Sequence, residues 1–248
     1  IAILIHKTGD DLPPGAIIAT EPQQKGIQFA VLSEGRYFRD PYAWGWKIAR
    51  ITDIPAGKLG VLTRLYGQEP PPGQIVVEGD CNQARPGDQK GVIATVLRPG
   101  KYRINPYACQ VELFDAIAIR PGAVGIVTSL VGKDVLTGDL PPAARNTYLV
   151  SEDLKGVVAR TLDPGVYYLN PYVYNVVEVT LQSQRFVLGG EDAINFLSMD
   201  GFNVDIEGTI EFSIERDRAA LLTHQVGDMD DVLKKLILPR ARGFSRIE

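Results

Sequence analysis

The chain carries little of what catalysis needs. Its 248 residues include two histidines and two cysteines. His6 and His224 lie far apart in the sequence and read as surface or structural groups. Cys81 and Cys109 have neither the C-x-x-C spacing nor a neighbouring histidine that a zinc site requires, and they do not indicate a disulfide framework. Reduced thiols are therefore expected. With no Asn-x-Ser/Thr sequon in the chain, this leans toward an intracellular setting. No basic run occurs, and the net charge of −4 argues against a nucleic-acid-binding surface. No Gly-x-Ser-x-Gly elbow or His-Glu-x-x-His pair is present. The stretch GIVTSLVGK at 125–133 fails as a phosphate loop: six residues rather than four separate Gly125 from Gly132, and no Ser or Thr follows Lys133. Gly189-Gly190 reads as an ordinary turn. Long apolar runs are missing too. The opening Ile1 to Ile5 is too short to span a bilayer of about 30 Å, so it reads either as the end of a membrane anchor or as a short edge strand. No catalytic, cofactor-binding or metal-binding residue is expected.

Repetition is what the sequence does have. LSEGRYFRDPYAWGW (32–46), LRPGKYRINPYACQV (97–111) and LDPGVYYLNPYVYNV (162–176) share a glycine turn, a tyrosine and an Asn/Asp-Pro-Tyr corner. Lys25-Gly26, Lys90-Gly91 and Lys155-Gly156 are spaced by 65 residues, and GVLTRLYG at 60–67 recurs as GIVTSLVG at 125–132. A fixed period of this length reads as a copied supersecondary unit. Each unit reads as β, because segments such as KGVIATVL are rich in β-branched residues and end at turn signals. The expected turn residues are Gly35, Gly100 and Gly165 with Pro41, Pro106 and Pro171. The Asn or Asp before each proline is pushed toward extended geometry and turns a corner. Cys109 occupies the position of Trp44 and Tyr174, which makes it a packing residue rather than a nucleophile.

The pattern changes after Val179. Asp200-Gly201 is a strong hairpin signal. Beyond it Val204, Ile206, Ile210, Phe212 and Ile214 alternate with polar and acidic residues, which predicts a strand with one buried face and one wet, acidic face. Asp217 is expected to cap a helix ended by Gly227, and Asp228 a second helix. On that second helix Met229, Val232, Leu233, Leu236 and Ile237 fall on one stripe. Pro239 is expected to kink or break it. The row from Asp205 to Glu211 reads as a solvated face rather than a cation site.

Three stretches then carry a family resemblance: IAIRPGAVGIVTSLVGK, LDPGVYYLNPYVYNVVEVTLQSQRF, and SMDGFNVDIEGTIEFSIE with a helix ending in ARGFSRIE. In this order, over about residues 116–248, they resemble the SPFH or band 7 domain of stomatins, prohibitins and flotillins. Residues 16–115 are more remotely similar to the stave repeats of the major vault protein. The fold expected is α+β. A possible anchor end with a linker at 1–15 leads to a β-rich repeat region at 16–115 with a 65-residue period, then to an SPFH-like mixed domain at 116–248 with C-terminal helices, continuing into a further helix. The resemblance implies a non-enzymatic scaffold, membrane-associated on the cytoplasmic or another intracellular side, without cofactors. Its partners are further copies of itself, membrane lipid and a membrane-protein client. The residues expected at contacts between protomers are Asp205, Glu207, Glu211, Met229, Val232, Leu233, Leu236 and Ile237. The alternative is an adaptor that regulates a membrane protein such as a protease without forming a closed cage.

Overall fold

The computed structural model describes residues 1–85, 87–133, 149–189, 193–197, 200–227 and 229–244. Strands β1 (Ala2–His6), β2 (Ile18–Ala19), β3 (Gly26–Leu32) and β4 (Trp44–Ile48) form a sheet in the order β2-β3-β1-β4. Next come β5 (Thr52–Ile54), β6 (Lys58–Arg64), β7 (Val76–Val77), β8 (Gly91–Leu97), β9 (Gly100–Tyr102) and β10 (Cys109–Asp115). Of these, β10-β6-β8-β7 make a second sheet and β5 pairs with β9. After β11 (Ile117–Ile119), strands β12 (Ala123–Ser129), β13 (Gly156–Leu162) and β15 (Tyr174–Thr180) form a third sheet in the order β13-β12-β15, with β14 (Gly165–Tyr167) between β13 and β15 in the chain. Then β16 (Gln184–Leu188) pairs with β19 (Gly208–Phe212), and β17 (Ile194–Leu197) with β18 (Asn203–Ile206). Helix α1 (Arg216–Gln225) is followed by α2 (Met229–Asp231), a π-helical segment (Val232–Ile237) and α3 (Leu238–Phe244).

The chain divides into two compact units. One holds Ile1–Ile117 with Val166–Val173, the other Ala118–Gly165 with Tyr174–Glu248. In each of the three larger sheets one strand lies in the interior: β1, β6 and β12 each have an antiparallel neighbour on either side. β6 and β12 are also buried on both faces, which explains why they read as continuous apolar runs rather than alternating ones. The stretch expected as an anchor end or an edge strand is thus an interior strand.

In the first unit, Ile18, Leu62, Tyr66, Val77, Ile93, Ile104, Ala108 and Cys109 form one buried cluster. On the other face of the second sheet, Leu59, Val61 and Val92 are covered by Phe114 and Tyr168. In the second unit Val124, Ile126 and Val179 are covered by Ala219 and Ala220 of α1. Two small residues let the helix lie close to the sheet.

The structure corrects several expectations. Cys81 and Cys109 are joined by a disulfide, with Cα atoms 6.5 Å apart, so neither is a free thiol and the argument for a reducing setting falls. Sequence spacing missed this because the two residues, 28 apart, meet only once the chain around Cys81 folds against β10. Gly35 lacks the positive φ of its sister turn glycines Gly100 and Gly165, at +155° and +159°. Glu215 rather than Asp217 is the N-cap of α1, and Asp217 sits in the first turn. Gly227 ends the helix as expected, at φ +113°, whereas the Asp228 cap lies outside the described residues. The alternating strand after Asp200-Gly201 is two strands, β18 and β19, with different partners. Its apolar face is only half-covered, and Ile206 is exposed. Helix continues past Pro239 into α3. The Leu238 N–H bonds to the Leu233 carbonyl, an i to i−5 bond in a widened turn just before the proline, which has no N–H to give.

Candidate functional site

The Asn-Pro-Tyr corners are the most defined polar features of the fold. Asn105 is buried. Its side-chain amide donates to the Gln28 carbonyl at 2.8 Å and the Phe29 carbonyl at 3.3 Å on β3, while its Oδ1 accepts the Tyr107 N–H at 3.0 Å. Asn170 does the same with β8: its amide donates to the Ile93 and Ala94 carbonyls at 2.9 and 3.2 Å, and its Oδ1 accepts the Tyr172 N–H at 3.0 Å. The prolines at 106 and 171 hold both asparagines in the extended geometry that allows this turn. The tyrosines extend the contact, Lys47 donating to the Tyr107 hydroxyl at 2.6 Å and the Tyr172 hydroxyl donating to Glu112 at 3.1 Å. That bond to a carboxylate raises the Tyr172 pKa. The first corner differs. Asp40 accepts the Tyr42 N–H at 2.9 Å in the same local turn, but it is exposed and has no amide to donate.

A buried ionic group lies beside the disulfide. Arg64 is fully buried on β6. It donates to the Glu78, Asp80 and Gln89 carbonyls and pairs with Asp88 at 3.3 Å. Asp88 also accepts from the Tyr66 hydroxyl and the Arg85 N–H, both at 2.9 Å. Burial, followed by the bond to Asp88, pushes the Tyr66 phenol far above its ordinary value. Gly79 closes the cage, since a Cβ there would lie 2.6 Å from the guanidinium and its φ is +110°. Sequence reading missed this group. Its only sign was a charged residue on a strand whose sister position is Ser129. A cleft of about 470 Å³ lined by Pro13, Pro14, Tyr66, Arg85, Asp88 and Lys90 opens nearby. Its charges are committed internally, Asp88 to Arg64 and Lys90 to Glu69.

The residues expected at protomer contacts fall into two groups. Asp205, Glu207 and Glu211 are exposed, and Glu211 accepts a 2.7 Å bond from Ser183. Val232 is buried inside this chain, and Met229, Leu233, Leu236 and Ile237 are half-buried. Val232, Leu236 and Ile237 line an apolar recess of about 370 Å³ with Phe212, Ile214 and Leu222. Asp200 and Gly201 form the expected turn between β17 and β18, Gly201 at φ +83°. His6 stacks on Trp44 with ring centroids 4.1 Å apart, and His224 is exposed near the end of α1. Among the described residues no cluster of His, Cys, Asp or Glu is placed to hold a metal ion, and no helix is long and apolar enough to cross a membrane.

No curated protein matches the chain. The model of the SPFH domain / Band 7 family matches residues 117–245, just over half of it. The strands from β11 onward, the Asp200-Gly201 turn and the terminal helices all fall within this span. On that match the chain belongs to the SPFH domain / Band 7 family, which is in general membrane-associated, scaffold-like and non-enzymatic.

Proposed function

We propose that this chain is a non-enzymatic scaffold that assembles laterally with copies of itself into a ring or cage at a membrane and there organises a microdomain of lipid and client proteins. One observation carries the reading: the Asn105 amide is inserted into β3 and the Asn170 amide into β8, so the same corner device recurs along the chain. A chain that repeats one β unit and one corner device has sheet edges that copies of itself can meet side by side. The equal 65-residue offsets of donors and acceptors (105 to 170, 28 to 93) support the period read from the sequence. The N-terminal repeats are read as vault-like on the same ground. The exposed Asp205, Glu207 and Glu211 and the stripe Met229, Leu233, Leu236 and Ile237 are the contact residues in this reading. The disulfide supports placing the first unit on an oxidising side of the membrane.

The test is the mass and outline of the protein extracted in mild detergent, viewed by negative-stain electron microscopy. Rings or domes are expected. Particles of one to three chains refute the assembly and favour the adaptor. Leu236→Ala assigns the helical stripe. If Leu236 packs within one protomer, the change lowers unfolding stability by about 2–5 kcal/mol. If it serves only contacts between protomers, assembly is lost while the melting temperature holds.

A further inference from the structure

The first sheet leaves one face partly open along β4, and the second sheet shows how the equivalent face is covered. In β6 and β10 the same-face pairs are Arg64 with Cys109, Leu62 with Val111, and Gly60 with Leu113. This side of the second sheet, with its corner residues Ile104 and Ala108, packs against Ile18 and Phe29 of the first sheet. In β1 and β4 the corresponding pairs are His6 with Trp44, Leu4 with Trp46, and Ala2 with Ile48. These are covered only in part: Leu4 is buried, but its partner strand is not. Trp46 is 60% and Ile48 80% exposed, and in the corner that follows β3, Phe38 is 95% and Tyr42 87% exposed. Phe38 precedes Asp40 by two residues, as Tyr168 precedes Asn170, and Tyr168 is packed on Leu59, Val61 and Val92. An aromatic that is a plug in one corner stands free in the other.

We propose that this open face binds the same face of a second copy of the chain, as an isologous dimer about a two-fold axis. Three observations select that occupant. At about 150–250 Å² per buried aromatic side chain, Phe38, Tyr42, Trp46 and Ile48 offer roughly 600 Å², most of the ~800 Å² that each partner contributes to a standard interface. Asp40 excludes another sheet docked as the internal ones are. Asn105 and Asn170 each donate to two carbonyls, and a carboxylate in their place has nothing to donate and repels both oxygens. The patch is also mixed in sign. Arg36, Arg39 and Asp40 are all exposed, with Arg39 over the Trp44 ring at 5.1 Å. A two-fold axis brings the arginines of each chain to the aspartate of the other, so the surface is complementary to itself. This contact is separate from the lateral assembly proposed above and stands without it.

Sedimentation equilibrium of the full chain tests the proposal, using wild type, Phe38→Ala and Asp40→Asn. Wild type is expected to dimerise reversibly. Phe38→Ala raises the dissociation constant tenfold or more while leaving the melting temperature unchanged, because an almost fully exposed ring contributes nothing to the protomer. Asp40→Asn keeps the local turn, as Asn105 and Asn170 do, and weakens the dimer several-fold by removing the cross-axis charge. Tighter association of Asp40→Asn overturns the proposal in favour of a docked like sheet. An all-monomer wild type, or a Phe38→Ala protein that dimerises as tightly as wild type, overturns it outright. So does a Phe38→Ala protein that dimerises normally but no longer sediments with phosphatidylserine vesicles, which assigns the face to lipid. Loss of rings with the dimer intact refutes the lateral reading alone.

Discussion

Replacing Asn105 with aspartate changes one atom's chemistry and almost none of its volume, at a buried site where the amide donates to two carbonyls and the oxygen accepts one N–H. Asn105→Ala gives up these bonds, at about 1 kcal/mol each, and strands buried carbonyls, for a loss of roughly 2–3 kcal/mol. Asn105→Asp retains the bond from the Tyr107 N–H but points an unpaired buried charge at two carbonyl oxygens, which costs about 3–5 kcal/mol at neutral pH. Burial and the facing carbonyls raise the folded-state pKa of this carboxyl above its unfolded value of about 3.9. The variant is therefore closest to wild type below that pH, where the carboxyl is protonated in both states, and its deficit grows as pH rises through the folded-state pKa. Both tryptophans of the chain, Trp44 and Trp46, lie on β4, so urea unfolding followed by tryptophan fluorescence reports on the sheet that Asn105 grips. The expected order at pH 7 is wild type, then Asn105→Ala, then Asn105→Asp. An aspartate variant as stable as wild type at pH 7, or one whose deficit does not change with pH, refutes the account of the corner as a donor device.

Two further outcomes follow from the group around Arg64. The disulfide closes a loop of 28 residues, so reduction, or Cys81→Ala with Cys109→Ala, lowers unfolding stability by ~3.5 kcal/mol on a chain-entropy estimate. Urea midpoints with and without dithiothreitol measure this, and equal midpoints refute a stabilising link. The Tyr66 phenol is raised first by burial and then by its bond to Asp88. Its contribution to stability is complete below the unfolded value of about 10 and is lost as pH rises beyond it, because only the unfolded chain ionises readily. Tyr66→Phe, followed by circular dichroism between pH 9 and 11.5, should flatten the alkaline fall in stability. An unchanged slope refutes the assignment.

The parts of the fold that were legible in the sequence are those fixed locally. The Asn-Pro-Tyr corners, the Asp200-Gly201 turn and the helix end at Gly227 depend on one or two residues whose backbone preference dominates. The stripe at Met229, Val232 and Leu236 was visible for the same reason. What stayed hidden depends on contacts distant along the chain. Cys81 and Cys109 form no local pattern. Arg64 looks like a surface residue until the carbonyls of Glu78, Asp80 and Gln89 are folded around it. The run from Val204 to Ile214 has the alternation of one strand and is two, because β18 and β19 take different partners, a matter of pairing rather than pattern. Asp40 was aligned with Asn105 and Asn170 as a turn residue, correctly for the turn. Only the second hydrogen-bonding role of the asparagines reveals what the substitution removes.

That substitution bears on how the chain can assemble. Stacking of like sheets is an open-ended process unless each end is closed, and an open heterologous contact produces fibres rather than closed bodies. The downstream face of the second sheet is closed by Tyr168 and the Asn170 corner. The corresponding apolar face of the third sheet, Val124, Ile126 and Val179, is closed by α1 through Ala219 and Ala220, as a terminal cap does in a repeat array. The upstream face of the first sheet keeps its apolar surface but carries Asp40, which forbids the internal mode of docking. The helix over the third sheet and the carboxylate at the first corner each disfavour docking of a further like sheet. The sheet edges β4, β10 and β15 remain, each carrying charged side chains such as Lys47, Glu112 and Glu178 that discourage indiscriminate pairing. Charged edges and the Asp40 corner thus disfavour edge-to-edge and sheet-on-sheet growth, which leaves the aromatic patch of the first corner as the self-complementary surface proposed above.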